Sequence, residues 1–347
     1  MRVLHLVPRW LPPTERFVAE QIGGSSSTGV VVSRERPLAG VARVRPTVSL
    51  GAVRSDRGVA LAVPALAAAT RADLVHVHFG YRLRDARRVL GRRPVVVSLF
   101  GHDVTAFPRA WPDYYGPVLG RADAVVVPSR FLAAAAVAAG AAPERVHRVP
   151  PGVDTRWFTP APLPAGPPRV VFVGRFVEKK GLDVLLDAWP AVRTAVPAAR
   201  LRLVGSGPLA PAVADGVEVV DASGRAAVRD ALRSATVVCS PSRTASDGDA
   251  ESLLLVNLEA QACGRPVVTT RHGAVPEFVD EGRTALVVPE GDSAALADAL
   301  VRLLRDPAAA AALGAAGPAF AQRFDVRACA RRIDDEVYRP LLGDSPA

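Results

Sequence analysis

Two series of short, uninterrupted apolar runs constrain this chain more than any other feature. The first comprises "RVLHLVP", "GVVVS", "DLVHVHF", "PVVVSLF" and "ADAVVVPS"; the second comprises "RVVFVGRF", "RLRLVG", "VEVVD", "TVVCS", "PVVTT" and "TALVVP". These runs are rich in β-branched residues and do not alternate with polar ones, the pattern of strands buried on both faces. Helix-length stretches separate them, some of them alanine-rich, such as "FLAAAAVAAG" and "DPAAAAALGAAG". Strand and helix in alternation predict an α/β fold with parallel, doubly wound, Rossmann-like sheets, one for each series.

Between the two series lies "TPAPLPAGPP", Thr159 to Pro168, with five prolines and neither helical nor strand period. It predicts an extended, semi-rigid connection and a hinge, with domains at 1–160 and 161–325. The tail 326–347 carries "VRACARRIDDEVYRPLL", apolar at helical spacing, and predicts a last helix packing back on the body. Ligands of doubly wound sheets bind at the carboxyl ends of the strands, so two such domains predict a site in a cleft that both face.

A length of 347 residues suffices for two separate cores. The chain has no run of about 18 uncharged apolar residues, and the apolar part of "MRVLHLVPRWLPP" is too short for a signal peptide. The expectation is a cytoplasmic protein. Cys239, Cys263 and Cys329 are far apart and lack zinc-ligand spacing, which predicts free thiols. The net charge of +9 is uneven: residues 1–160 hold 22 Arg against 11 acidic residues, a surplus of 11. Clusters such as "RLRDARR" with Arg92 and Arg93 are expected to face water, a phosphorylated acceptor or anionic lipid at the inner membrane face. Aromatic residues form only 5% of the chain and no recognition motif accompanies the charge, which argues against nucleic acid.

Chemistry concentrates in the second half. The strand "RVVFVG" leads through Gly174 to Arg175, and Lys180 precedes a helix of pattern "LDVLLDAW". Two cations at a strand end beside a helix amino terminus suit a diphosphate; the plain alternative is surface ion pairing with Glu178 or Asp183. "VGSGPL" places Gly205 and Gly207 where backbone could approach a ligand closely. In "SDGDAESLLLVNLEAQACGRPVVTT", Glu259 shares a helical face with Leu255, Val256, Ala262 and Cys263, a costly place for an unpartnered carboxylate. Glu251 sits where acidic residues begin a helix, where its plain role is a favourable interaction with the helix dipole. If the stretch is helical, about 12 Å separates the two glutamates along its axis, at about 1.5 Å per residue. That separation matches a sugar and a ribose joined by a diphosphate.

"FVGRFVEKKGLDVLLDAW", "LRLVGSGPL" and "PSRTASDGDAESLLLVNLEAQACGRPVVTTRHGAVPEFV" resemble, in order and spacing, the C-terminal half of retaining glycosyltransferase family 4, a family of GT-B fold. Its two glutamates separated by seven residues correspond to Glu251 and Glu259. The resemblance implies that Glu251 approaches hydroxyls of the donor sugar and Glu259 the ribose. It also implies that Arg175 and Lys180 stabilise the leaving diphosphate without a metal ion or other cofactor. Gly174, Gly205, Ser252 and Leu253 complete the donor side.

"LPPTERFVAEQI", "HVHFG", "SLFGHDVT" and "PERVHRVPPGVDTRWF" look like the branch of that family that builds bacterial exopolysaccharide and other surface glycans. The implied partners are a nucleotide-sugar donor and a glycan or lipid-linked glycan acceptor. Phe100 stands where many relatives have histidine, and the motif offers His102 and Asp103 instead. His102 is expected either as an active-site residue or as a histidine whose ring is satisfied by loop backbone or Asp103, with Asp103 on the acceptor side and His78 in a structural or acceptor-side role. His76 and His78 lie on one strand face, and metal ligation is not expected because no third ligand is evident. Ala274 stands where a second glycine is usual. The competing readings are a sugar-nucleotide epimerase of the same fold, a nicotinamide dehydrogenase, disfavoured by the missing GxGxxG, and a non-catalytic scaffold.

Overall fold

In the computed structural model the apolar runs become strands. The structure describes residues 1–347 except 9–14, 36–44, 54, 116–117, 212–214, 222–223 and 344–347. The first seven strands are β1 (Arg2–Val7), β2 (Thr28–Ser33), β3 (Thr47–Ser49), β4 (Leu74–His78), β5 (Val95–Ser98), β6 (Ala124–Val127) and β7 (Val146–Arg148). They form one sheet in the order β3-β2-β1-β4-β5-β6-β7, and every pairing is parallel. The next six are β8 (Arg169–Val173), β9 (Arg200–Val204), β10 (Val217–Val220), β11 (Val237–Ser240), β12 (Val267–Thr270) and β13 (Ala285–Val288). Their order, β10-β9-β8-β11-β12-β13, is again wholly parallel.

Both orders reverse direction once, between β1 and β4 and between β8 and β11, as doubly wound folds do. Continuous burial follows from helices on both faces: β4, β5, β6, β11 and β12 are buried along their whole length. The sequence reading did not anticipate β3 and β7. Each has only three residues and lies at a sheet edge, where half the neighbours that reward an apolar run are missing.

The chain divides into two compact units, Met1–Gly152 with Val326–Ala347, and Val153–Asp325. This division differs from the expected boundary at 160/161, and the tail belongs to the first unit. Residues 153–168 go with the second unit because their backbone bonds are made there. The Val153 amide donates to the Phe324 carbonyl at 2.8 Å. Arg265, 1% exposed, donates to the carbonyls of Ala161 (2.9 Å), Pro162 (2.7 Å) and Arg233 (2.7 Å). The proline-rich segment is therefore fastened near its start by a buried guanidinium.

The tail closes the first unit's core. Helix Val326–Ile333 and the π-turn Asp334–Tyr338 bring Cys329, Ile333, Val337 and Tyr338 against Val3, Leu74, Val96 and Val126. Buried Asp334 accepts hydrogen bonds from Ser25 Oγ (2.6 Å), Ser26 N (2.6 Å) and Ser26 Oγ (2.9 Å), fixing the tail beside helix Arg16–Gly24. All three cysteines are buried and none is in a disulfide.

Arg265→Met leaves three carbonyls without their donor and should cost about 3 kcal/mol in denaturant unfolding. The Ala161 amide, which donates to Cys263 O at 3.3 Å, should exchange faster with deuterium, and unchanged exchange would show that the fastening lies elsewhere.

Candidate functional site

The second sheet reverses direction between β8 and β11, and the chemistry-bearing residues gather beyond the carboxyl ends of those two strands. Gly174 and Arg175 follow β8 directly, and the turn Glu178–Lys180 leads into helix Leu182–Ala195. Beside them, Gly205 ends β9 at φ +144; a Cβ there would lie 1.9 Å from the Gly174 carbonyl oxygen, so only glycine lets these two strand ends run together. The ion pairs weighed against a ligand role form with a different cation. Arg243 pairs with Glu178 (3.3 Å) and Asp183 (2.8 Å). Arg175 is exposed, and its guanidinium meets no carboxylate among the described residues.

Lys180 meets Glu251: Nζ lies 2.8 Å from Oε1, with the glutamate side chain 5% exposed. Lys179 likewise meets Asp249 at 2.9 Å. Burial opposes ionisation of Glu251, but the Lys180 and Lys179 ammoniums outweigh it and hold the carboxyl below its ordinary range. Glu251 does not begin a helix, contrary to the expectation. The helix runs from Leu255 to Ala262, so the separation inferred from helical rise does not apply. The cause lies in the backbone of Glu251: its amide donates to His272 Nε2 at 3.1 Å and its carbonyl accepts from the Ala274 amide at 3.1 Å. Both groups are committed outside the helix. Ser252 is buried and Leu253 half-buried in the loop between.

Glu259 also differs from expectation. The helix buries Asn257, Leu258, Ala260, Gln261 and Ala262, whereas Glu259 is half-buried, as are Leu255 and Val256. Its face borders the core rather than entering it. Within the core, Asn257 accepts from Ser240 Oγ at 2.6 Å and the Gln261 amide nitrogen donates to Phe278 O at 2.9 Å, while Gln261 Oε1 meets no partner among the described residues. His272 and Glu290 were not singled out in the sequence. They follow β12 and β13 closely, and only the sheet order brings them beside the β11 loop.

In the first unit, His102 is exposed at the start of the single turn His102–Thr105. Asp103 is 1% exposed, and its carboxylate accepts from the amides of Gly80 (2.9 Å), Phe100 (3.0 Å) and Gly101 (2.8 Å). It fastens the loops after β4 and β5 to each other, which is a different task from contacting an acceptor. Phe100 packs edge-on against Phe17 and Phe79. Phe79, at φ +73, holds a backbone conformation that side chains rarely adopt, at the carboxyl end of β4. The "LPPT" part of the motif after β1, Leu11–Thr14, lies outside the described residues.

His78 and His76 are each 1% exposed, and β1 supplies a third histidine, His5, directly opposite His76. The three offer one ligand nitrogen each within 4.8 Å of one another, so the third ligand missing from the sequence pattern exists in space. Four of their six ring nitrogens already bond within the protein, however: His5 Nδ1 to His78 Nε2 at 3.1 Å, and those of His76 to Ser98 Oγ at 2.7 Å and to the Tyr338 hydroxyl, while His5 Nε2 and His78 Nδ1 meet no partner among the described residues. The cluster reads as a buried hydrogen-bonded network that joins two strands to the tail. Burial, with mutual repulsion, pushes His5 and His76 well down, and burial alone takes His78 to about 3.

The basic stretch is partly spent internally. Arg82 pairs with Asp85, Arg84 donates to Tyr114 O at 3.0 Å, and Arg93 bonds Ala72 O; Arg88 and Arg92 are exposed. No helix among the described residues is long and apolar enough to cross a membrane.

Residues 167–306 match the family model described as Glycosyl transferases group 1, and residues 25–157 match Glycosyltransferase Family 4. The chain is 36% identical over 261 residues to a GDP-mannose-dependent alpha-(1-6)-phosphatidylinositol monomannoside mannosyltransferase of Mycolicibacterium smegmatis, covering 67% of this chain and 66% of that one. It is 32% identical over 251 residues to the putative colanic acid biosynthesis glycosyltransferase WcaL of Escherichia coli, covering 66% and 61%. These matches span somewhat under two thirds of each relative. Among solved structures, Anabaena HepE in complex with UDP aligns at a TM-score of 0.77 and 20% identity, covering 97% of this chain and 100% of that one. Sucrose-phosphate synthase of Thermosynechococcus elongatus aligns at 0.79 and 22%, covering 99% of both. The fold is GT-B.

The histidine cluster generates a pH dependence. The folded value of His78, about 3, lies below the ordinary 6.5, so the unfolded chain takes up the proton first as pH falls. Its stabilising contribution is complete above about 6.5 and is lost progressively towards about 3, reaching roughly 2 kcal/mol at pH 5. Melting temperature should therefore drop between pH 7 and pH 5, and drop less in His78→Asn; equal drops would place the acid sensitivity elsewhere.

Proposed function

Since this chain belongs to glycosyltransferase family 4, we propose that it transfers a glycosyl unit from a nucleoside diphosphate sugar to an acceptor hydroxyl, with retention of configuration, in the assembly of a surface glycan. The observation that carries this reading is the pairing of a buried, ionised Glu251 with Lys180, near an exposed Arg175 that meets no carboxylate among the described residues, at the point where the second sheet reverses direction. Breaking the bond between the anomeric carbon and the diphosphate oxygen builds negative charge on the leaving group. Arg175 and Lys180 supply positive charge where it develops, the task for which a divalent metal would otherwise serve. The acceptor oxygen forms the new bond on the face the diphosphate leaves, and its proton passes to a diphosphate oxygen. Glu251 receives donor-sugar hydroxyls and Glu259 the ribose.

His102 is the exposed histidine of the first unit and the one assigned to the reacting sugar. His78 is assigned to the same side through the strand end it occupies, although its ring is enclosed. The names of the relatives make GDP-mannose the first donor to assay and a lipid-linked or polysaccharide acceptor the first acceptor class. Action at the cytoplasmic membrane face fits an acceptor of that kind, with exposed Arg88 and Arg92 meeting anionic headgroups.

Arg175→Ala and Lys180→Ala should each lower turnover by more than about tenfold. Full activity in both would remove the leaving-group assignment. Glu259→Gln should mainly weaken donor affinity in calorimetry, and an unaltered dissociation constant would show that the ribose lies elsewhere.

A further inference from the structure

One carboxylate holds both ends of the loop that carries Glu251. The loop leaves β11 after Ser240 and reaches the helix at Leu255. Near its start, the Thr244 amide donates to Glu290 Oε1. Near its end, the Glu251 amide donates to His272 Nε2 at 3.1 Å, and His272 Nδ1 lies 2.9 Å from Glu290 Oε2. The supports come from the ends of adjacent strands, His272 just after β12 and Glu290 just after β13.

These contacts select the tautomer of His272 by hydrogen-bond chemistry alone. A backbone amide can only donate, so Nε2 must present its lone pair. A neutral imidazole then carries its proton on Nδ1, where the Glu290 carboxylate accepts it. The opposite tautomer, or a doubly protonated ring, would set one N–H against another. The imidazole side chain is 2% exposed, so water does not replace the bond. Burial resists ionisation of Glu290, while the bonds from Thr244 and His272 outweigh it and hold its carboxyl below the ordinary range.

The same short segment grips the other backbone group of Glu251. The Ala274 amide donates to the Glu251 carbonyl at 3.1 Å, and Gly273, at φ +49, approaches so closely that a Cβ would lie 2.3 Å from that oxygen. Glu251 is thus placed by neither helix nor strand. Its carboxylate reaches Lys180 because residues 272–274 set its backbone.

We propose that His272, oriented by Glu290, is a positioning residue for Glu251, acting as an obligate hydrogen-bond acceptor for the Glu251 amide. The proposal rests on the glycosyltransferase reading for its effect on turnover and on the hydrogen bonds alone for its tautomer. His272→Leu should lower kcat about 30-fold while changing the donor KM less than about threefold, since the loss falls on a group engaged as the sugar reacts. His272→Gln offers an amide oxygen in place of Nε2 and should recover turnover to within about fivefold of the wild type. Loss of turnover in the Leu variant without recovery in the Gln variant, or full activity in the Leu variant, would overturn the proposal. Independently of activity, the ring nitrogens of His272, assigned in ¹⁵N spectra by comparison with His272→Gln, should show the Nδ1-protonated tautomer at neutral pH. The other tautomer would overturn the positioning argument even in an active enzyme. Wild-type protein that transfers no sugar from any nucleotide sugar but shows the expected tautomer would count against the functional reading and leave the positioning intact.

Discussion

A carboxylate withdrawn from water must find a cation or hydrogen-bond donors, or lose its charge, and in the second unit Glu251 finds Lys180. The surrounding architecture makes that meeting possible. The lysine arrives from the end of β8 and the glutamate from the loop after β11, strands that are neighbours only because the sheet reverses direction between them. In water such a pair would be worth little; enclosed, it couples two strand ends strongly, and removing one partner would strand the other. Glu178 and Asp183 pair instead with Arg243, and Arg175 meets no carboxylate among the described residues.

How far the sequence revealed all this depended on whether a residue's role is set locally. Strands buried on both faces announce themselves through runs such as "VVVS" and "AVVV", and both sheets were legible from them. Edge strands β3 and β7 are too short and too one-sided to leave that trace. Arg175, Lys180 and Glu251 could be singled out because motif spacing records positions at strand ends. The backbone at Glu251 could not be anticipated, because helix propensity says nothing about an amide already bound by His272 from another strand. His5 shows the same limit: it lies 71 positions before His76 in the sequence, and only the β1–β4 register sets them side by side.

The first unit uses polar residues mainly to hold itself together. Asp103 spends its oxygens on three backbone amides, and the histidine trio bonds internally. Arginines that looked like a continuous cationic surface split into those that bind carbonyls or Asp85 and those left in solvent. A charge count recognises none of this, because an arginine capping a carbonyl contributes the same formal charge as one facing water. Near the carboxyl end of the first sheet, the unusual backbone of Phe79 and the exposed ring of His102 are the features that packing does not explain.

The first unit is discontinuous in sequence, completed by residues that follow the whole of the second. A nascent chain leaving the ribosome can therefore assemble Val153–Asp325 as soon as it has emerged. The earlier segment must wait with Val3, Leu74 and Val126 uncovered until Cys329, Ile333 and Tyr338 are synthesised. Maturation should run against the order of translation, with the amino-terminal lobe vulnerable to chaperone capture and proteolysis for longest.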